Sequence, residues 1–265
     1  MYQRKIYTLT QSILLATVLS SSLITAACSA ESSNAPVLSN QSTPTEIYEL
    51  GLAYYEGNSV PQDYEKAFSL FKRAADREYV EAQFNLGVMY ENGVGVDQDY
   101  KQAMQSYLLA ADNGDFDAKN NIGSLYYFGK GVTQNYDKAF KWYKEAADKD
   151  VVIAQFNIGG LYENGYGVPQ DYDKAFEWYS KAADQGLDVA ELNIGGLYEN
   201  GYGVPQDYDK AFKWYQKAAD KGNQEASNRI GKLVMDGKID DKDIVIYSTQ
   251  ETVLILDDIE NGLKN

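Results

Sequence analysis

Ser69-Leu70-Phe71-Lys72 sets a lysine three residues after a serine. At that spacing a lysine can help to activate a serine nucleophile. The companions such chemistry needs are missing, since no Ser-Asp-Asn or Lys-Thr-Gly stretch occurs. Ser69 also falls where equivalent positions further along hold Gln105, Lys141, Glu177 and Lys213, the mixture of a solvated helix face. Gly-x-Gly pairs such as Gly93-Val94-Gly95 follow a helical pattern, not a strand, and lack the further glycine and Lys-Ser/Thr of a phosphate loop. With no histidine in 265 residues there is no His-based triad, no His metal ligand and no histidine pH switch. One cysteine, Cys28, excludes an intrachain disulfide and a Cys-rich metal cage. No Asp-x-Asp-x-Asp-Gly run suggests a calcium loop. No metal and no cofactor is therefore expected, and no catalytic residue is assigned. Against 24 Lys and Arg stand 39 Asp and Glu, a charge of −15 that repels phosphate backbones and makes nucleic acid an unsuitable partner.

The elements that position these residues are repeated ones. Gly51, Gly87, Gly123, Gly159, Gly195 and Gly231 recur every 36 residues. A period in this range signals a solenoid or array. We number each repeat from 1 at Glu46, Ala82, Ala118, Ala154, Ala190 and Ala226. Apolar or small residues at positions 1, 5, 8 and 9 (Ala82, Leu86, Met89 and Tyr90) make one helical stripe. Glycine at position 12 ends that helix. Asp or Asn at position 18 caps a second helix, whose stripe runs through positions 19, 22, 23, 26, 29 and 30. In the fourth repeat these are Tyr172, Ala175, Phe176, Tyr179, Ala182 and Ala183. Glycine closes the second helix at position 33 in three repeats, while Glu78 and Asp150 replace it in two, so those two turns are expected to be less ideal or shaped differently. Tyrosines cluster at positions 9, 19 and 26, and Trp142, Trp178 and Trp214 all stand at position 25. Both patterns read as packing, not as a ligand cage.

The amino terminus reads as an address. Arg4 and Lys5 precede a short apolar run from Ile13 to Leu19 and the small residues before Cys28. This is the layout of a signal peptide, with a run too short to span a bilayer. Ala26-Ala27-Cys28 resembles the bacterial lipoprotein lipobox. That resemblance implies cleavage after Ala27 and lipid on Cys28, with Ser29 favouring the outer membrane. The mature chain would keep 22 basic and 39 acidic residues, a charge of −17. Residues 28–45 read as the lipidated cysteine and a flexible Ser/Asn/Pro/Thr tether.

Leu86-Gly87-x-x-Tyr90-x-x-Gly93-x-Gly95-Val96-x-x-Asp99 and Lys174-Ala175-x-x-Trp178-Tyr179-x-x-Ala182-Ala183 resemble the Sel1-like repeat, a longer relative of the tetratricopeptide repeat. The resemblance covers five full units, residues 46–225, and reaches into a sixth. It implies an all-α fold, an α/α superhelical solenoid of helix-turn-helix units, and a protein-binding scaffold or adaptor that is not an enzyme. Residues 226–265 form a partial sixth repeat and a divergent cap, whose stretch from Ile244 to Leu256 fits either a helix or a short hairpin.

By analogy with tetratricopeptide arrays, first-helix positions 4 and 10 face a concave groove. Position 4 gives Asn85, Asn121, Asn157 and Asn193, and position 10 gives Tyr55, Glu91, Tyr127, Glu163 and Glu199. The amides can hydrogen-bond a peptide backbone and the carboxylates favour a basic partner. Alternatively, the amides serve neighbouring loops. The expected function is a membrane-anchored interaction scaffold of the bacterial envelope, facing the periplasm, with a protein or peptide partner. An immunity-type lipoprotein that neutralises a secreted toxin is one alternative. A β-lactamase-like or peptidoglycan-fragment-binding protein is another.

Overall fold

The structure is a computed structural model that describes residues 41–239. The expected leader, the lipidation site Cys28, most of the tether and the C-terminal segment from 240 onward lie outside the described residues. Among the described residues every regular element is an α-helix. In chain order they are α1 (Pro44–Glu56), α2 (Tyr64–Ala75), α3 (Val80–Asn92), α4 (Tyr100–Asp112), α5 (Phe116–Phe128), α6 (Tyr136–Ala147), α7 (Val152–Asn164), α8 (Tyr172–Asp184), α9 (Asp188–Asn200), α10 (Tyr208–Asp220) and α11 (Gln224–Met235). They group into two compact units, one ending at Ala154 and one beginning at Gln155. In the first, α1 pairs with α2, α3 with α4 and α5 with α6, and α2–α3 and α4–α5 contacts join successive hairpins. In the second, α9 pairs with α10, flanked by α8 and α11. The fold class is thus the all-α, helix-turn-helix repeat expected from the sequence.

Local sequence sets each boundary. Thr43 and Glu46 form a capping box at the start of α1, with Pro44 in its first turn. Asp63, Asn135, Asp171 and Asp207 each accept a hydrogen bond from the backbone N–H three residues on, and Asp99 does so from Lys101 and Gln102. Gly57, Gly93, Gly129 and Gly201 take the left-handed conformation that closes the first helices. Glu78 (φ 63°) and Asp150 (φ 61°) adopt the left-handed form without being glycine. Their turns therefore keep the left-handed sign found where glycine stands at that position, at a steric cost of about 1–2 kcal/mol each, so of the two outcomes expected there the less ideal turn is the one found.

The hairpins close on one recurring contact. Glycine at position 6 of the first helix lies against the aromatic ring at position 26 of the second. A β-carbon on Gly51, Gly87, Gly123, Gly159 or Gly195 would come within 2.7 Å of the ring of Phe71, Tyr107, Tyr143, Tyr179 or Tyr215 respectively. Those five rings are almost wholly buried, ringed by alanines such as Ala67, Ala74, Ala103, Ala110, Ala139 and Ala146 that let the helices approach. Joining one repeat to the next calls for a second close approach. A β-carbon on Gly95, Gly131 or Gly203 (position 14) would strike the backbone of Tyr64, Tyr100 or Tyr172 in the preceding repeat, and all three glycines have positive φ. Position 14 of the first repeat is Ser59, at φ 65°. No repeat precedes it among the described residues, so its side chain has nothing of that kind to strike.

The same backbone position thus carries two separable costs. Gly95→Ala is expected to lower stability by about 2–4 kcal/mol, because it adds a collision to a strained φ. Ser59→Ala is expected to change it by less than about 1 kcal/mol, since the strain is already present. Urea unfolding of the two variants tests this, and a loss at Gly95→Ala no larger than the roughly 1–2 kcal/mol of left-handed strain alone would show that the collision adds nothing.

Candidate functional site

Of the first-helix residues expected to face a partner, most turn inward. Asn121, Asn157 and Asn193 are buried, as are Glu91 and Glu163. Asn85, Tyr55, Tyr127 and Glu199 are half-buried. The Glu91 carboxylate accepts a 2.9 Å hydrogen bond from the Tyr107 hydroxyl, and Glu163 accepts one of 2.6 Å from Tyr179. Glu199 accepts from Tyr215 in the same way. Each pair joins position 10 of a first helix to position 26 of the second helix of the same repeat. Lys130 adds a 3.3 Å ion pair to Glu91, and Arg229 approaches Glu199 to 3.6 Å.

The other two repeats show why these residue types go together. In the first, position 26 is Phe71, which has no hydroxyl to satisfy, and position 10 is Tyr55. In the third, position 10 is Tyr127, and the buried hydroxyl of Tyr143 finds Ser124 Oγ at 3.0 Å instead. A buried hydroxyl without a partner costs about 1–3 kcal/mol. Glutamate, serine or deletion of the hydroxyl are three solutions of one problem.

The position-4 amides also reach other parts of the protein. Asn85 Nδ2 donates to the Tyr48 hydroxyl at 3.0 Å, one repeat back. Asn121 bonds the hydroxyl of Tyr107 and accepts from Asn120. Asn85 and Asn121 are thus bonded to side chains of the chain itself. Residues not singled out from the sequence complete the frame. Gln62, Gln98, Gln134, Gln170 and Gln206, all at position 17, each donate from Nε2 to the carbonyl of the position-10 residue at 2.8–2.9 Å. They satisfy a carbonyl that the end of the first helix leaves open. Their signal in the sequence was a glutamine unbroken through five turns, beside the equally unbroken glycine at position 12 and valine at position 15. Lys181 and Lys217 lie over Trp178 and Trp214 at 4.0 and 3.9 Å, so two of the position-25 tryptophans are capped by the chain's own cations. Ser69 and Lys72 are both exposed on α2.

Electrostatics follow burial. Burial, then the charge of Glu91, holds the Tyr107 hydroxyl well above the usual tyrosine range, and burial does the same to Tyr143. Tyr48 is pushed up to about 12, chiefly by burial. Burial also pushes the carboxyls of Asp115 and Asp117 up, with Glu81 repelling the first and Asp115 the second. Most of the large apolar residues that stay open to solvent lie at one end of their hairpin. The exposed large apolar residues Tyr64, Phe128, Tyr166, Tyr202 and Met235 all lie in the last turn of a first helix, in the turn after it or at the start of the second helix. Only Leu109 departs from this pattern among the exposed large apolar residues described. Glu46, Glu49, Glu56 and Glu81 are exposed beside the first repeats.

The Sel1 repeat model matches five consecutive stretches, residues 47–79, 80–115, 116–151, 152–187 and 188–223. A Sel1 repeat protein from Oxalobacter formigenes has a solved structure that is 32% identical, with a TM-score of 0.71 over 83% of this chain and 88% of that one. The structure of c5321, a protective antigen present in uropathogenic Escherichia coli strains displaying an SLR fold, is 35% identical with a TM-score of 0.69. That match covers 76% of this chain and 43% of the antigen, so the chain spans less than half of the antigen's length. No curated protein matches the sequence.

Two outcomes follow from the buried pairs. Tyr179→Phe is expected to cost about 1–3 kcal/mol by removing a donor from a buried carboxylate. Adding Glu163→Tyr recreates the Tyr55/Phe71 combination of the first repeat and is expected to restore at least half of the loss in urea unfolding. The second concerns pH. Tyrosine ordinarily ionises near 10, and burial raises Tyr143 above that. The unfolded chain therefore loses its proton first, and stability is expected to fall as pH rises beyond about 10. The fall should be shallower in Tyr143→Phe.

Proposed function

The chain belongs to the Sel1 repeat family, and we propose that it is a membrane-tethered scaffold that binds a protein partner in the bacterial cell envelope. Sel1 repeats are protein-interaction scaffolds, and the finer reading rests on three features of this chain. The observation that carries it is the grouping of exposed aromatic residues at one end of the hairpins. Exposed tyrosines are the residue type that anchors protein interfaces, because they bury much surface for little lost side-chain entropy. The polar groups of the first helices are largely spent on internal bonds, which supports a binding role over a chemical one. Excess acid supports a basic partner and fast association. Asn85, Asn121, Asn157 and Asn193 act in this reading by fixing the helices, while Tyr55 and Tyr127 in the first unit, and Glu199 in the second, lie beside the exposed aromatic residues of their own unit. Glu91 and Glu163 support the helices from inside.

Tethering rests on the lipobox-like Ala26-Ala27-Cys28 and the composition of residues 28–45. One acyl-anchored segment per molecule would hold the chain at the membrane through about 0.8 kcal/mol per buried CH₂, and the placement proposed is the outer membrane, facing the periplasm.

Crosslinking in envelope preparations tests the partner, and fractionation tests the tether. Cys28→Ala is expected to move the protein from the membrane to the soluble fraction while leaving its thermal midpoint unchanged. Crosslinked partners are expected to be basic proteins. Membrane retention of Cys28→Ala would remove the tether from the account. Exclusively acidic partners would remove the electrostatic one.

A further inference from the structure

The repeats show what settles on the ring at position 19. In three repeats it is the side chain at position 13 of the following repeat. Lys130 Nζ lies 5.3 Å from the ring centroid of Tyr100, and Lys238 Nζ lies 5.1 Å from that of Tyr208. Tyr202 stacks on Tyr172 at 4.7 Å. Lys130 sits at once over Tyr100 and against Glu91, so the slot suits a cation with a carboxylate beside it. The glutamine at position 17 holds some of these rings in place, since Gln170 and Gln206 also donate to the hydroxyls of Tyr172 and Tyr208 at 3.0 and 3.1 Å.

In the first repeat no cation or ring is supplied from that position. Position 13 of the next repeat is Val94, which carries no charge and no ring. Tyr64 is 39% exposed. Tyr55 meets it edge-on at 5.1 Å, which makes an aromatic corner, and Glu56 and Glu65 are exposed in the same turn region.

We propose that this corner, Tyr64 with Tyr55 and the neighbouring Glu56, receives a lysine or arginine side chain of a basic partner protein. The proposal deepens the function given above and rests on its reading that the partner is basic. The chain itself supplies the stand-in for the missing ligand, since two equivalent slots hold a lysine of the same molecule. Aromatic rings attract a cation most strongly when both are partly withdrawn from water, and the acidic surroundings add attraction at the same point.

The test fills the slot from within. Val94→Lys places at position 13 the residue that stands there naturally at 130 and 238, so the frame accepts it. Leu109→Lys makes the same charge change on α4, away from the corner. A ten-residue lysine peptide serves as the probe, with affinity read by fluorescence anisotropy and the Tyr64 ring followed by NMR of ring-labelled tyrosine in the purified chain. In the wild type the peptide is expected to shift the Tyr64 ring resonance. Val94→Lys is expected to weaken binding about fivefold and to abolish the shift. Tyr64→Leu should weaken binding to a similar degree, and Leu109→Lys by less than about twofold. Equal weakening by the two lysine variants, or a wild-type Tyr64 resonance that does not move, would overturn the slot. Crosslinking that finds only acidic partners in envelope preparations would instead overturn the basic-partner reading and leave the peptide result standing.

Discussion

Each helical hairpin depends on a glycine that lets an aromatic ring come up against the neighbouring backbone. Any side chain at position 6 would occupy the space of the ring, as the 2.7 Å limit shows at Gly51, Gly87, Gly123, Gly159 and Gly195. Close approach then sets further demands. The ring at position 26 is buried, so a tyrosine there brings its hydroxyl into the interior. That hydroxyl needs an acceptor, which Glu91, Glu163 and Glu199 supply. Where the acceptor is absent, either the hydroxyl is absent too, as at Phe71, or serine replaces it, as at Ser124. The small residues at positions 22, 29 and 30 belong to the same constraint, because larger ones would hold the helices apart.

This order of causes changes what the polar residues mean. Asparagine and glutamate repeating along the first helices suggest a prepared peptide-binding surface. Much of that polarity is consumed by the interior. In the function proposed, the parts left for a partner are those the frame does not require, namely the exposed aromatic residues at the ends of the first helices and in the turns that follow. There the repeats differ most, as with Val94, Lys130, Tyr166 and Tyr202 at position 13. A scaffold can vary such positions at little cost to its own stability.

The fold was legible in the sequence because the period, the position-12 glycines and the position-18 caps each have one simple structural meaning. Leu86 and Met89 were placed correctly by helical spacing alone. The direction of the position-10 side chains was not legible by the same means. Spacing locates Glu91 on a stripe adjoining the buried one, and only its partner Tyr107, 16 residues on, decides that it turns inward. The clue was available as a correlation between repeats, in which Tyr55 accompanies Phe71 while glutamate accompanies tyrosine. Glu78 and Asp150 show the opposite limit. Residue type argued against a left-handed turn at both, yet the helices on either side impose it.

The fit between glycine and ring has its cleanest instance in Gly51 with Phe71, where no hydroxyl is involved. A double-mutant cycle with Gly51→Ala and Phe71→Leu, measured by urea unfolding, separates that fit from the loss of either residue alone. The smaller side chain at 71 gives the new methyl group room, so the two losses should fall short of additive by at least about 1 kcal/mol. Losses that add to within about 0.3 kcal/mol would show that the two positions do not share the space, and would contradict the constraint from which the rest is derived.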